Sequence, residues 1–149
     1  MRVKNKTMSF LTLNFCRLLL KFGNKATSEN TVRVGFSLLK KIKKQCPQPL
    51  FVSAIDIVKP FCEIKRIKIS GANHKVPVEV IPSRQKILGL KFLVANTIKR
   101  SERSITKRIS NEISDTLSLS SQSVKNCDEI HKVAEVNKVY IQYRNYIKQ

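Results

Sequence analysis

The sequence predicts a mainly α fold: about six helices in one body, with a two-stranded β-ribbon between helices three and four. Three observations carry this. Apolar residues recur at helical spacing in six segments. One stretch, about residues 63–81, sets β-branched residues on either side of a turn-forming run and alternates with period two on the return. The length, 149 residues, fits one domain with a modest core, taken as 1–149.

The first helix lies within Met1 to Ala26, a segment with no acidic residue. Its basic, amphipathic character resembles a mitochondrial presequence. Asn14 and Arg17 interrupt any signal-type apolar run, and the segment is too short and mixed to span a bilayer. Gly23 is placed as a helix stop, so the segment is read as the first helix of the mature fold. A second helix is expected from Thr27 or Ser28, as N-cap, to Gln45, with Val32, Phe36, Leu39 and Ile42 on one face. Lys40, Lys41, Lys43 and Lys44 crowd its end, where cations suit the helix dipole and a solvated face is the simpler reading. Cys46-Pro47-Gln48-Pro49 breaks the chain. Pro49 suits the first turn of a third helix that turns Phe51, Ala54, Ile55 and Val58 inward and ends at Pro60.

In the ribbon, Ile64, Ile67 and Ile69 bring β-branched side chains among Lys65, Arg66 and Lys68, and Ser70 to His74 supplies turn chemistry. On the return strand Val76, Val78 and Val80 share one face, with Pro77 and Glu79 on the other. Pro77 has no N–H to donate, which makes this an edge strand. An isolated ribbon is marginal in water, so it is expected to lean on the helical body and project from it as an arm. A fourth helix starts near Pro82 or Ser83 and buries Ile87, Leu88, Leu90, Phe92, Leu93, Val94 and Ile98. A fifth follows from about Ser101, with Ile105, Ile109, Ile113 and Leu117 at four-residue spacing. Ser118 to Ser123 is a connector. Asn126 and Glu129 have the spacing of a capping box for a last helix whose stripe is Ile130, Val133, Ala134, Asn137, Tyr140 and Ile141.

The formal net charge of +19 and pI near 10.2 point to nucleic acid or an anionic membrane surface. Residues 1–100 hold 21 Lys+Arg against 4 Asp+Glu, a balance of +17; residues 101–149 hold 8 against 6, or +2. The polyanion face is therefore expected in the first two-thirds. Cys16, Cys46, Cys62 and Cys127 form no C-x-x-C pair, and His74 and His131 are far apart, so the thiols read as small reduced side chains rather than zinc ligands or disulfides. Four glycines cannot build phosphate loops, and His131 near Asp128 and Glu129 forms no convergent constellation; neither an enzyme nor a cofactor or metal is expected. The ribbon carries no base-stacking Phe, Tyr or Trp, so recognition should rest on phosphates and shape.

The run Gly71-Ala72-Asn73-His74-Lys75-Val76-Pro77-Val78-Glu79-Val80 resembles the GGANYQVPVEV signature of the small-subunit ribosomal protein seven family, bacterial and organellar type. Pro82-Ser83-Arg84 matches the family's P-x-R, and Leu90 to Val94 resembles its LRWLV, with Phe92 in place of tryptophan. His131 to Lys138 is similar to its HRMAEANR and Tyr143-Arg144 to its closing HYR. Weaker matches are Lys21-Phe22-Gly23-Asn24-Lys25, against a D-G-K-K turn, and Val58-Lys59-Pro60. Relatives usually carry a longer basic extension before the first helix; here Arg2, Lys4 and Lys6 stand in its place.

The resemblance implies a structural, non-enzymatic protein that binds the 3′ major (head) domain of small-subunit rRNA and nucleates head assembly. Its expected partners are that rRNA and neighbouring head and platform proteins, with exit-site tRNA and mRNA close to the ribbon; membrane binding and homo-oligomers are not expected. The cations expected at rRNA are Lys21, Lys25, Lys65, Arg66, Lys68, Lys75, Arg84, Lys86, Lys91, Lys99, Arg100 and Arg144. The tip near tRNA and mRNA is Ser70, Gly71, Ala72, Asn73 and His74. The alternative is an architectural DNA-binding protein with a basic β-arm, although those bring two arms and an apolar wedge. A peripheral membrane protein ranks third. Lysine outnumbers arginine 20 to 9, and frequent isoleucine and asparagine accompany it. This A/T-type codon bias suggests an A/T-rich genome such as an organelle's. Divergence from the family pattern and the short N-terminus favour a mitochondrial ribosome over a plastid, with an A/T-rich bacterium as the alternative.

Overall fold

Six α-helices and one hairpin follow in the expected order in the computed structural model, which describes residues 2–20, 22–69 and 71–147, and only the backbone of 2–9, 69 and 145–147. They are α1 (Arg2–Leu18), α2 (Lys25–Lys43), α3 (Pro47–Val58), β1 (Cys62–Ile69), β2 (Ala72–Glu79), α4 (Pro82–Lys99), α5 (Ile105–Leu117) and α6 (Gln122–Val136), followed by a 3-10 segment, Lys138–Ile147. The chain is mainly α, with the antiparallel hairpin between α3 and α4.

The short helix α3 is the centre of the core. Phe51, Ala54, Ile55 and Val58, the face its periodicity predicts, are all fully buried. The rings of Phe15 in α1 and Phe36 in α2 lie 5.1 and 5.2 Å from Phe51, so three helices meet at one aromatic contact. Such pairs add about 0.5–1.5 kcal/mol beyond their burial. Leu90, Leu93 and Val94 of α4 and Ile109 and Ile113 of α5 close the cluster. Gly89 lets α4 approach α3 closely: a Cβ there would stand 3.2 Å from Lys59 Cα and N. The two helices flanking the hairpin are thus pressed together.

A polar network that no periodicity announces joins α4, α5 and α6. Arg100 donates to Glu102, Glu112 and Asp115, each at 2.8 Å. Glu112 is buried and also accepts from Ser123 (2.6 Å), whose Oγ accepts from Asn96 (3.0 Å). Arg108 caps the end of α4 through the carbonyls of Ile98 and Glu102. Burial works against the Arg100 charge, but its hydrogen bonds to the three carboxylates outweigh it and raise its pKa. Burial likewise works against the charge of Glu102, yet a backbone hydrogen bond, Arg100 and Asn111 hold its carboxyl below the ordinary value. Burial raises the Cys16 and Cys62 thiols, and burial with Asp128 and Cys62 nearby pushes Cys127 up to about 11. Cys16 and Cys127 pack in the core as small apolar groups.

Several boundaries differ from expectation. Helix α1 stops at Leu18, with Gly23 (φ 74°) in the turn beyond it. Asn24, not Thr27 or Ser28, caps α2, because Ser28 is buried and donates to the Cys16 carbonyl at 2.6 Å. Helix α3 opens at Pro47, which places Pro49 in its first turn as expected. Ser121 caps α6; Asn126 sits inside the helix and reaches Asn96, so the Asn126–Glu129 box does not form. Ile42, Ile87 and Ile98 are exposed, since their faces turn away from α3. The last helix ends at Val136 and does not carry Tyr140 and Ile141 as an α-helical stripe.

Gly89→Ala should destabilise the fold. Overpacking against backbone costs about 1–3 kcal/mol, which exceeds the roughly 1 kcal/mol of helix propensity gained over glycine. Thermal melts followed by circular dichroism test this; a melting temperature at or above the parent's refutes the tight α3–α4 contact. The Glu102 carboxyl titrates lower when folded than when unfolded, so its contribution is present above its ordinary value near 4.5 and lost as pH falls through the folded pKa. Glu102→Gln should therefore flatten the acid side of the stability–pH profile in urea titrations, while the parent loses stability below that value.

Candidate nucleic-acid interface

The register of the hairpin decides which cations stand together. Cys62 pairs with Glu79 and Ile69 with Ala72, with Gly71 between the strands at φ 86°. Glycine suits this left-handed position. Ala72, Asn73 and His74, expected in the turn, are instead paired in β2 opposite Ile69, Lys68 and Ile67. Ser70 lies outside the described residues.

Residues directly opposite share a face of the ladder. Arg66 faces Lys75 and Lys68 faces Asn73, so Arg66, Lys68 and Lys75 line one exposed face toward the tip. Like charges directly opposite oppose pairing. Lys65 faces Val76 on the other side and belongs with Ile67, His74 and Val78.

That second face is covered. Val76 is fully buried, outside the main core cluster, and the 3-10 segment packs along β2. Tyr140 and Tyr143 stand three residues apart, the repeat at which 3-10 side chains eclipse. Their rings stack 6.2 Å apart, close to one 3-10 turn of about 6 Å. His74 packs against both, at 4.8 and 5.7 Å. The expected projecting arm is thus strapped along one side, and its tip-proximal His74 is a packing residue.

The root of the hairpin is braced from the body. Arg84, in the first turn of α4, makes a two-pronged ion pair with Glu63 of β1 at 3.0–3.1 Å. Gln85 donates to the Val80 carbonyl (2.9 Å). His131 Nε2 accepts the Phe61 N–H (3.2 Å) and stacks on the Phe61 ring, which gives this histidine a structural task. Arg144 lies 3.7 Å from Glu79.

The other expected cations are dispersed. Lys25 is exposed beside Glu29 at 3.7 Å, Lys86 is half-buried, and Lys91 and Lys99 are exposed along α4. Lys21 lies outside the described residues. Arg100 is held by three carboxylates inside the polar network, which withdraws it from a surface role. The cluster at the end of α2, Lys40, Lys41 and Lys44, is exposed, with Lys44 in a left-handed cap. None of the six α-helices has an acidic residue in its first turn, so no carboxylate competes there for an anion. Asp128, Glu129 and Glu135, the carboxylates without an ion pair among the described residues, all sit on α6. The hairpin with α2 and α4, where cations outnumber carboxylates, is therefore the candidate anion-facing surface. Among the described residues no three His, Cys, Asp or Glu cluster as metal ligands, and no helix is long and apolar enough to cross a membrane.

The comparisons agree with this geometry. The family model described as ribosomal protein S7p/S5e matches residues 2–138. The small ribosomal subunit protein uS7 of Alkaliphilus metalliredigens is 36% identical over 122 residues, 82% of this chain and 78% of that protein. The uS7 proteins of Buchnera aphidicola and Mycoplasma genitalium are 35% and 34% identical, covering 93% and 90% of this chain and 89% and 86% of their own lengths. The signature around the hairpin, the match across the helical body and these relatives converge: the chain belongs to the ribosomal protein S7p/S5e family, structural, non-enzymatic proteins of the small ribosomal subunit.

Proposed function

We propose that this protein acts as a single domain that binds the 3′ major, head-forming domain of small-subunit rRNA and helps nucleate its assembly with neighbouring head and platform proteins. The observation that carries the reading is the outer hairpin face. Arg66 and Lys75 stand opposite each other, with Lys68 beside them, an arrangement that a bound polyanion relieves. The exposed lysines of α2 and α4 extend the same field. In this reading the turn at Gly71 lies near exit-site tRNA and the mRNA path. The composition supports a mitochondrial ribosome: 20 lysines to 9 arginines reflects an A/T-rich coding sequence. A duplex-DNA architectural role is disfavoured, because the single hairpin ends in Gly71 and Ala72 and offers no wedge.

The test exploits the conflict between stability and binding. Arg66→Thr removes one of two opposed charges and keeps a strand-forming side chain, so its melting temperature should equal or exceed the parent's. Its affinity for a head-domain rRNA fragment should fall. With Lys68→Ala and Lys75→Ala added, the slope of log affinity against log salt should drop by roughly one for each phosphate that is no longer neutralised, about three in all. Filter binding across a salt series reads this. An unchanged slope in the folded triple variant refutes the hairpin as an rRNA-binding element, and preference for duplex DNA over rRNA refutes the ribosomal reading.

A further inference from the structure

We propose that the cleft between the hairpin root and the 3-10 segment binds one unpaired nucleotide of a single-stranded RNA segment. The proposal rests on the reading of the chain as an RNA-binding protein and adds a second, chemically different contact to it. The cleft has a volume of about 500 Å³, within the range of small-ligand pockets. Its walls come from separate elements: Lys65 from β1, Val78 and Glu79 from β2, Ile81 and Pro82 at the opening of α4, and Arg144 from the 3-10 segment. Lys65 and Val78 belong to the ladder face opposite Arg66, Lys68 and Lys75, and Glu79 closes the cleft at the end of β2.

Charge and polarity in the cleft suit a nucleotide. Lys65 and Arg144 supply two cations for a phosphate. The nearby carboxylate of Glu63 does not oppose them, because Arg84 holds it with three hydrogen bonds. Glu79 stands 3.7 Å from Arg144, longer than a hydrogen bond, and its side chain is 85% exposed. Arg144 can therefore turn to a phosphate and leave Glu79 as an acceptor for a base N–H or a ribose 2′-hydroxyl. Beside these groups stand Pro82 and Ile81, the latter 71% exposed, an apolar surface for a base or sugar.

Duplex RNA keeps its bases stacked inside and would reach only the two cations, leaving Ile81 and Pro82 uncovered. An unpaired nucleotide uses both parts of the cleft. An acidic peptide would also meet the cations, but it brings carboxylates toward Glu79, where a nucleotide brings donors.

Methyl-labelled isoleucine and valine report on the cleft by NMR. A short oligoadenylate should shift the Ile81 and Val78 methyl signals, while an RNA duplex and polyglutamate leave them in place. Lys65→Ala with Arg144→Ala should weaken oligoadenylate binding on the order of tenfold, and duplex binding less, since a duplex meets the cations alone. Ile81→Ser, a change at an exposed site, should weaken oligoadenylate alone, and unchanged melting temperatures confirm that both variants fold. Silent Ile81 and Val78 methyls in the presence of bound oligoadenylate, or equal shifts with duplex or polyglutamate, overturn the cleft and leave the rRNA reading intact. Loss of binding to every RNA form overturns both.

Discussion

The constraint on which the rest of the structure depends is the close packing of α4 on α3. These are the two helices from which the hairpin leaves and to which it returns. Helix α3 is buried along its whole inward face, and the missing side chain of Gly89 lets the Lys59 backbone approach to a distance a Cβ would fill. The roots of β1 and β2 are therefore set by the core itself. The Arg84–Glu63 pair, the Gln85–Val80 bond and the His131–Phe61 contact then fix the angle at which the hairpin stands. Exposed ion pairs are each worth little in water. Their role here is directional, since the burial of α3 already supplies the stability.

Charge is sorted by the same architecture. Glu102, Glu112 and Asp115 gather around Arg100 where α4 meets α5, and one of them is buried. Glu63 and Glu79 stand beside arginines at the hairpin root. What remains outward on the hairpin is positive, and its register sets Arg66 against Lys75. A sheet built only for stability would avoid this pairing. Its presence in a chain of net charge +19 fits a surface completed by a polyanion.

The 3-10 segment gives the hairpin a second support. A run of ten residues is long for this helix type. The tyrosine spacing supplies the reason: with three residues per turn, Tyr140 and Tyr143 eclipse and form one ridge against His74 and the strand that buries Val76. In an α-helix the same two side chains would stand about 60° apart around the axis and would not eclipse. The strap also carries Arg144 to the cleft at the root.

The sequence by itself determined the helical body, the hairpin between α3 and α4, the inward face of α3 and the family. Each follows from local regularities: the period of Phe51, Ala54, Ile55 and Val58, the alternation from Val76 to Val80, and the run from Gly71 to Val80. It also located the field of positive charge, because charge is additive along a chain. Only the tertiary structure decided which cations act together. A one-residue shift in pairing moves every side chain to the other face, so the separation of Lys65 from Arg66, Lys68 and Lys75 depends on the register between Ile69 and Ala72. The withdrawal of Arg100 was equally illegible, because its partners Glu112 and Asp115 lie 12 and 15 residues away and meet it only when α5 folds back. Tyr140 fitted an α-helical stripe in the sequence, yet it needed His74 of a distant strand to hold it in a 3-10 turn. Contacts distant in the chain carry no local period, and packing alone brings them together.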